Sequence, residues 1–318
     1  WAARHPDGES VTFVWGGVAQ SYVPMSDRYV TFANKLARKL KDRYPDRDYY
    51  VLVHSYGASL PAPVKAIPED NVIIAGVHSA LLDYDVWTRP MVGDWHALGA
   101  NYLWRPNVPH PGWRGVGSVA PLTDAATSIQ YIADNGGMGV YVDTVWESNW
   151  AVQSPLYYLM AQLFWNPQQN AQRILDDFYR RGFGEGADAM KAYWALIEES
   201  GEKLFEGGRR PDLGWYAQTY DSSFFATAHQ YLDRAKAAVE ASDEKYARRI
   251  AFVREGLDFI QRAVEQEKLL LRLKESDWED ASALKQAEAN LEWMREQRSR
   301  HPSIGRVPPD RFNPDTYR

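Results

Sequence analysis

Within GGMGVYVDTVWESNW, residues 136–150, two carboxylates and two indoles follow a strand-like run, all between Asp143 and Trp150. Unpaired carboxylates are expensive to bury, and exposed indoles forfeit the burial that large rings contribute. The mixture therefore fits a ligand that is polar at its edges and apolar on its faces, and a sugar has that character. Asp143 and Glu147 are the residues that could do acid–base or nucleophilic work on it. A glycosidase acid pair stands about 5–5.5 Å apart for retention and roughly 6.5–9.5 Å for inversion. Four extended residues span about 13 Å, so in one straight strand these two acids are too far apart to form the pair. Either the chain curls after Val145 or each acid works with a group from another strand, and the second arrangement is the one expected. The structural roles open to the same residues are a hydrogen-bonded acid bridging strands for Asp143 and a helix N-terminal cap for Glu147.

Other strand-end residues extend the candidate site. His54 and His78 each close a predicted strand, in VHSY and VHSA. No HxH or HExxH pattern accompanies them, so contact with a sugar or a structural hydrogen bond is expected rather than a metal site, and no cofactor is called for. Tyr56 beside His54 is a further substrate contact. Trp104, Trp146 and Trp150 are expected stacking surfaces, since rings in loops after strands meet ligands more often than they fill cores. Asp83 and Asp85 in LLDYDVW read as helix caps. Ser55 with either histidine lacks the GxSxG elbow of a serine hydrolase, which disfavours an esterase.

The elements that must position these residues alternate up to about residue 150. Strands are predicted at 11–15, 49–55, 71–77, 100–104 and 138–145, several of them apolar on both faces as in a parallel sheet. Residues 26–44 form the clearest helix, with Ser26 as N-cap, Pro45 as terminator and Tyr29, Phe32, Ala33, Leu36, Ala37, Leu40 and Tyr44 as its apolar stripe. No GxGxxG or GxxxxGK[ST] follows a strand, which disfavours a nucleotide-binding sheet. A whole barrel needs about 250 residues. The fold class expected is thus α/β: the later part of a (β/α)8 TIM-type barrel over residues 1–166, its first strands upstream of Trp1, followed by an α-helical bundle domain over residues 167–318. Helices are predicted at about 155–165, 168–181, 186–205, 223–241, 243–274 and 277–299, with apolar residues at 250, 253, 257, 260, 264 and 271 along one seam.

Composition excludes several classes. Of 318 residues, 36 are Lys or Arg and 42 are Asp or Glu, and the net charge of -6 offers no basic surface for a nucleic acid. Cysteine is absent, which removes disulfides, thiolate catalysis and cysteine-ligated zinc. No apolar run is long enough to span a bilayer, and the first residues do not form a signal peptide. The chain begins at Trp1, so an export signal is free to precede it.

The segments SDRYVTFANKLARKLKDRYPD, VLVHSYGASLPAP and GVYVDTVWESNWAVQSPLYYLMAQLFWNPQQNAQRILDDFYRRGFGEGADAMKAYWALIE together resemble glycoside hydrolase family 163 over roughly residues 25–205. The resemblance is densest in LYYLMAQLFWNP and the FGEGADAMKAYW segment. It implies a bacterial, extracytoplasmic, retaining barrel glycosidase with endo-β-N-acetylglucosaminidase activity on complex N-glycans, built from an upstream half-barrel and a helical C-terminal region. One departure is VTFVWGGVAQSY, which holds no carboxylate where the family's pattern leads one to expect polar residues. The expected function is hydrolysis of a complex or N-acetylhexosamine-containing glycan by strand-end carboxylates, with an upstream barrel segment or a second chain completing the site. The alternatives are a non-catalytic carbohydrate-binding or assembly protein on a degenerate barrel, and a helical interaction scaffold.

Overall fold

A computed structural model describes residues 9–15, 18–77, 88–106, 122–142, 149–205 and 219–304. The chain divides into two compact units, one holding the strands with the helices between them, the other holding the later helices. The helix α4 (Trp150–Trp165) contributes to both, with Trp150–Leu159 in the helical unit and the remainder in the strand unit. No helix among the described residues is long and apolar enough to cross a membrane.

The strand unit opens with a hairpin. The predicted first strand, β1 (Val11–Trp15), pairs antiparallel with β2 (Val18–Tyr22), Val11 opposite Tyr22 and Trp15 opposite Val18. It is therefore not a member of the parallel sheet. The Gly16-Gly17 dipeptide between the two runs was its sequence signal, since two-residue hairpin loops favour Gly-Gly. The parallel sheet has four strands in sequential order: β3 (Val51–Ser55), β4 (Val72–Gly76), β5 (Asn101–Trp104) and β6 (Gly137–Val140). The helices α1 (Ser26–Arg43), α2 (Arg89–His96) and α3 (Leu122–Asp134) alternate with the strands along the chain.

Helix α1 is rotated from the predicted stripe. Its buried residues are Ser26, Val30, Ala33, Asn34 and Ala37, whereas Tyr29, Phe32 and Leu36 are exposed. The polar members of the buried set explain the rotation, because each is paired to the long β3–β4 connection. Ser26 is no N-cap; it lies inside the first turn and donates to the Pro61 carbonyl at 2.6 Å. Asn34 donates to the Ile67 carbonyl at 2.7 Å and accepts the Glu69 N–H at 2.9 Å. Asp27 accepts the N–H groups of Val64, Lys65 and Ala66. A hydrophobicity stripe cannot register such pairs.

Parallel register divides the sheet into two faces. Val51, Val53 and Ser55 align with Val72, Ile74 and Gly76, and the last two align with Tyr102 and Trp104. On this face Val51, Ser55, Val72, Ile74, Tyr102 and Trp104 are buried. The other face carries Leu52 and His54 beside Ile73 and Ala75, then Leu103. It is less covered, with Leu52 48% exposed. A Cβ at Gly76 would stand 1.7 Å from the Tyr102 phenol oxygen, so glycine lets that ring lie over β4. Burial pushes the Tyr102 phenol well above the ordinary tyrosine range.

In the helical unit the predicted segments appear within a few residues: α5 (Ala171–Phe183), α6 (Ala187–Phe205), α7 (Ser222–Ala238), α8 (Glu244–Glu275) and α9 (Ala281–Arg300). Ile250, Val253, Leu257, Ile260 and Val264 form the buried seam of α8 as expected, while Leu270 and Leu273 take over from position 271 at its end. Asn149 caps α4 by accepting the Val152 N–H at 3.1 Å and donates to the Gly256 carbonyl of α8 at 3.1 Å. Gly256 permits the approach, because a Cβ there would lie 2.5 Å from that of Ala151. The Trp194 indole N–H reaches the Val152 carbonyl at 2.8 Å and its ring packs among Phe178, Tyr179, Phe183 and Tyr193.

Two measurements test these accounts. Gly76→Ala is expected to destabilise the strand unit by about 1–3 kcal/mol through overpacking, and Tyr102→Phe in the same chain should recover part of that loss; strictly additive losses in urea unfolding would place the collision elsewhere. Asp221, Asp243 and Asp280 cap α7, α8 and α9 by accepting the Phe224, Lys245 and Ala283 N–H groups at 2.8, 2.9 and 2.9 Å. The Phe224 N–H, the Lys245 ammonium and the Ala283 N–H respectively lead in holding each carboxyl below its ordinary value of 3.8. A carboxyl depressed on folding stabilises above that value and loses the contribution as pH falls through its folded value. Helical ellipticity should therefore become less heat-resistant as pH drops below 3.8, and Asn at all three positions, which caps without titrating, should make the decline shallower. An unchanged slope would remove these caps as its cause.

Candidate functional site at the sheet's carboxyl edge

All four parallel strands end at one edge, and the hydrogen-bond ladder continues one residue past β4, β5 and β6. Val77 N–H donates to the Ser55 carbonyl at 2.9 Å, Arg105 N–H to that of Gly76 at 2.9 Å, and Tyr141 N–H to that of Trp104 at 2.8 Å. These bonds set the exit residues side by side. Arg105 follows Leu103 in parity and Tyr141 follows Gly139, so both belong to the less covered face. The Arg105 guanidinium carbon lies 5.5 Å from the centroid of the Tyr141 ring, within cation–π range. Tyr141 is 56% exposed.

His54 and Tyr56 share that face at the end of β3. Tyr56 remains extended, so the strand's alternation carries through it, and both side chains are exposed. A short 3-10 turn, Gly57–Ser59, fixes their backbone. The Ser59 hydroxyl stands 3.2 Å from the His54 carbonyl and 3.0 Å from the Tyr56 carbonyl, either of which can take its proton, and it accepts the Tyr56 N–H at 3.3 Å. Ser55, of opposite parity, turns inward and donates to the Leu60 carbonyl at 2.7 Å. A buried serine so engaged is no nucleophile, in keeping with the missing elbow motif.

The tryptophans separate. Trp104 is 1% exposed and lies on the covered face, its ring edge-on to Phe164 at 6.2 Å and 86°. It is a core residue where a stacking surface was expected, because register places it with Gly76 and Ser55 rather than with Arg105. Trp150 opens α4 in the helical unit, 40% exposed and 4.8 Å from the Tyr157 ring, so part of its surface stays open. Asp143, Trp146 and Glu147 lie outside the described residues, as do His78, Asp83 and Asp85. Strand β6 ends at Val140, earlier than the predicted 138–145. The register irregularity between Tyr102 and Leu103 falls opposite the two glycines of GMGV, which weaken a strand interior.

Chemically the described part of this edge offers a guanidinium, an imidazole and two phenols: hydrogen-bond donors and ring faces suited to hydroxyl-rich or anionic groups. No group of three or more potential ligands able to hold a metal is found among the described residues. Arg105 and Tyr141 were absent from the predicted site. Their signal was position, each being the first residue beyond a strand and sharing parity with the less covered face.

A family model described as a domain of unknown function (DUF4838) matches residues 110–195, less than half of the chain. No curated protein matches the chain, and no solved structure does.

Ser59→Ala is expected to lower stability by about 1 kcal/mol, the net worth of a hydrogen bond, and to loosen His54 and Tyr56 together. Denaturant unfolding checks the first effect, and amide exchange at Tyr56 the second. An unchanged exchange rate would mean that the turn's backbone bonds suffice.

Proposed function

We propose that the strand unit is the later part of a (β/α)8 barrel and that the protein is a retaining glycoside hydrolase acting on a complex or N-acetylhexosamine-containing glycan. The observation that carries this reading is the sequential, unreversed order of four parallel strands. Right-handed crossovers then put every intervening helix on one side, as in a barrel wall, whereas a doubly wound sheet reverses its order. The less covered face bearing Leu52, His54, Ile73, Ala75 and Leu103 is the barrel interior on this reading, and the carboxyl edge with His54, Tyr56, Arg105 and Tyr141 is its mouth. Barrel enzymes use that end for catalysis.

From Tyr141 the chain runs on to Asp143 and Glu147, which supply the carboxylates in this reading. Glu147 acts as catalytic or substrate-orienting acid, with Asp143 in support. Retention needs either an acid/base residue with a nucleophile or a carboxylate orienting the substrate's own acetamido group. Arg105 and the phenols hold sugar hydroxyls, and Trp146 and Trp150 offer stacking faces. Strands from upstream or from a second chain complete the barrel. The likeness to glycoside hydrolase family 163 supports the same substrate class, a bacterial origin and an extracytoplasmic location.

A second reading, glycan binding without hydrolysis, is favoured by one feature: the described strand ends carry donors and rings but no carboxylate. Glu147→Gln separates the two. For a hydrolase, turnover of a complex N-glycan should fall by about 10²–10⁴-fold while the variant still binds the glycan. An unsubstituted protein that binds the glycan and releases no product supports the binding reading, and failure to bind any glycan sinks both.

A further inference from the structure

Helices α7 and α8 are joined by a chain of polar side chains that the candidate site does not use. One Arg254 nitrogen lies 3.1 Å from Nδ1 of His229, and a second pairs with Asp233 at 2.5 Å. On the other side of the imidazole, Nε2 stands 3.3 Å from the Gln261 amide oxygen and 3.6 Å from an Asp258 oxygen. Arginine donates hydrogen bonds and cannot accept them. Nδ1 therefore meets Arg254 as an unprotonated nitrogen, which leaves the ring's single proton on Nε2, where two acceptors face it. The network assigns His229 as a neutral ring in one tautomer.

Charged and titratable groups surround this ring. Helix α7 itself supplies Asp233, and α8 supplies Arg254 and Asp258, with Glu255 and Arg262 acting on the Asp258 carboxyl. Helix α6 presents Tyr193, whose buried phenol has no hydrogen-bond partner among the described residues. Burial, then the Asp258 charge, pushes that phenol above the ordinary tyrosine range, while Arg254 acts the other way. The Gly184–Gly186 turn, with Glu185, meets α7 further along, at Ala235 and Val239. Just past α9, His301 lies 3.3 Å from Glu255. Burial leads in raising the Asp258 carboxyl above its ordinary value, so a charge moved here is only partly screened by water.

We propose that His229 is a proton-operated catch between α7 and α8. Neutral, the ring accepts from Arg254 and fixes the guanidinium across the two helices. A proton taken from solvent at Nδ1 occupies the lone pair that Arg254 uses and sets two cations at hydrogen-bond distance. Arg254 then leaves the ring and keeps Asp233 alone, while the imidazolium, a donor at both nitrogens, is held through Nε2 by Asp258. The junction is re-made through a different pair of residues, and the guanidinium is released toward solvent. The fold already joins these helices by apolar burial, so the exchange alters the contact without opening the bundle.

Nuclear magnetic resonance on the nitrogen-labelled chain tests this between about pH 8 and pH 5, the range in which an imidazole ordinarily titrates. At the upper end His229 should show its proton on Nε2, and rotation of the Arg254 guanidinium about its Nε–Cζ bond should be slow. At the lower end both ring nitrogens should carry protons, and the rotation should speed up by about tenfold or more, as expected for the loss of a hydrogen bond to a charged group. His229→Gln, which offers an oxygen acceptor that does not titrate, should keep the rotation slow throughout, with far-UV ellipticity confirming the fold. His301→Gln should leave the change intact. A ring proton on Nδ1 at the upper pH, or a rotation rate that is the same at both ends in the unsubstituted chain, overturns the proposal. So does a speed-up that persists in His229→Gln, which would assign it to another titrating group, or one that His301→Gln abolishes, which would assign it to the Glu255 pair.

Discussion

Three consecutive backbone hydrogen bonds, from Val77 to Ser55, Arg105 to Gly76 and Tyr141 to Trp104, extend the parallel ladder past the strands themselves. Everything proposed for the strand unit depends on that continuity. Because the strands are parallel, their carboxyl ends share one edge. Because the ladder bonds are evenly spaced, the exit residues stand in line. Arg105 meets the Tyr141 ring for this reason alone, since 36 positions separate them in the chain. The same register decides which side chains can take part: Trp104, one residue before Arg105, faces the opposite way and is held in the core against Phe164.

The two faces of the sheet differ in what stabilises them. The covered face uses close fit, with Tyr102 lying over Gly76 where no side chain stands. On the same side of the unit, α1 is tied to the β3–β4 connection through Ser26, Asp27 and Asn34, so polar pairing aligns this helix as much as apolar burial does. The opposite face is less covered, with Leu52 and His54 exposed at β3 and Ala75 buried at β4. All-parallel sheets are ordinarily covered on both faces, and the difference between the two faces among the described residues is what the barrel reading builds on.

The helical unit follows a different logic. Its helices carry their own start signals, with Asn149, Asn170, Asp221, Asp243 and Asp280 each accepting a first-turn N–H. Its register is set by a few buried polar contacts. Asn149 bridges α4 to Gly256 of α8, and Asn290 of α9 donates to the Arg262 carbonyl of α8 at 2.8 Å. These fix how α4 and α9 meet α8 in a way that apolar seams, which tolerate sliding, do not.

Sequence alone was enough for whatever depends on local periodicity: the helical second half, the α8 seam from Ile250 to Val264, and the four strands of the parallel sheet. These are short-range properties of 3.6- and 2-residue repeats. Only tertiary structure decided the separation of β1 from the sheet, the rotation of α1, the inward turn of Trp104 and the meeting of Arg105 with Tyr141. Each depends on a partner tens of residues away, and a strand apolar on both faces gives no sign of which one the helices will cover.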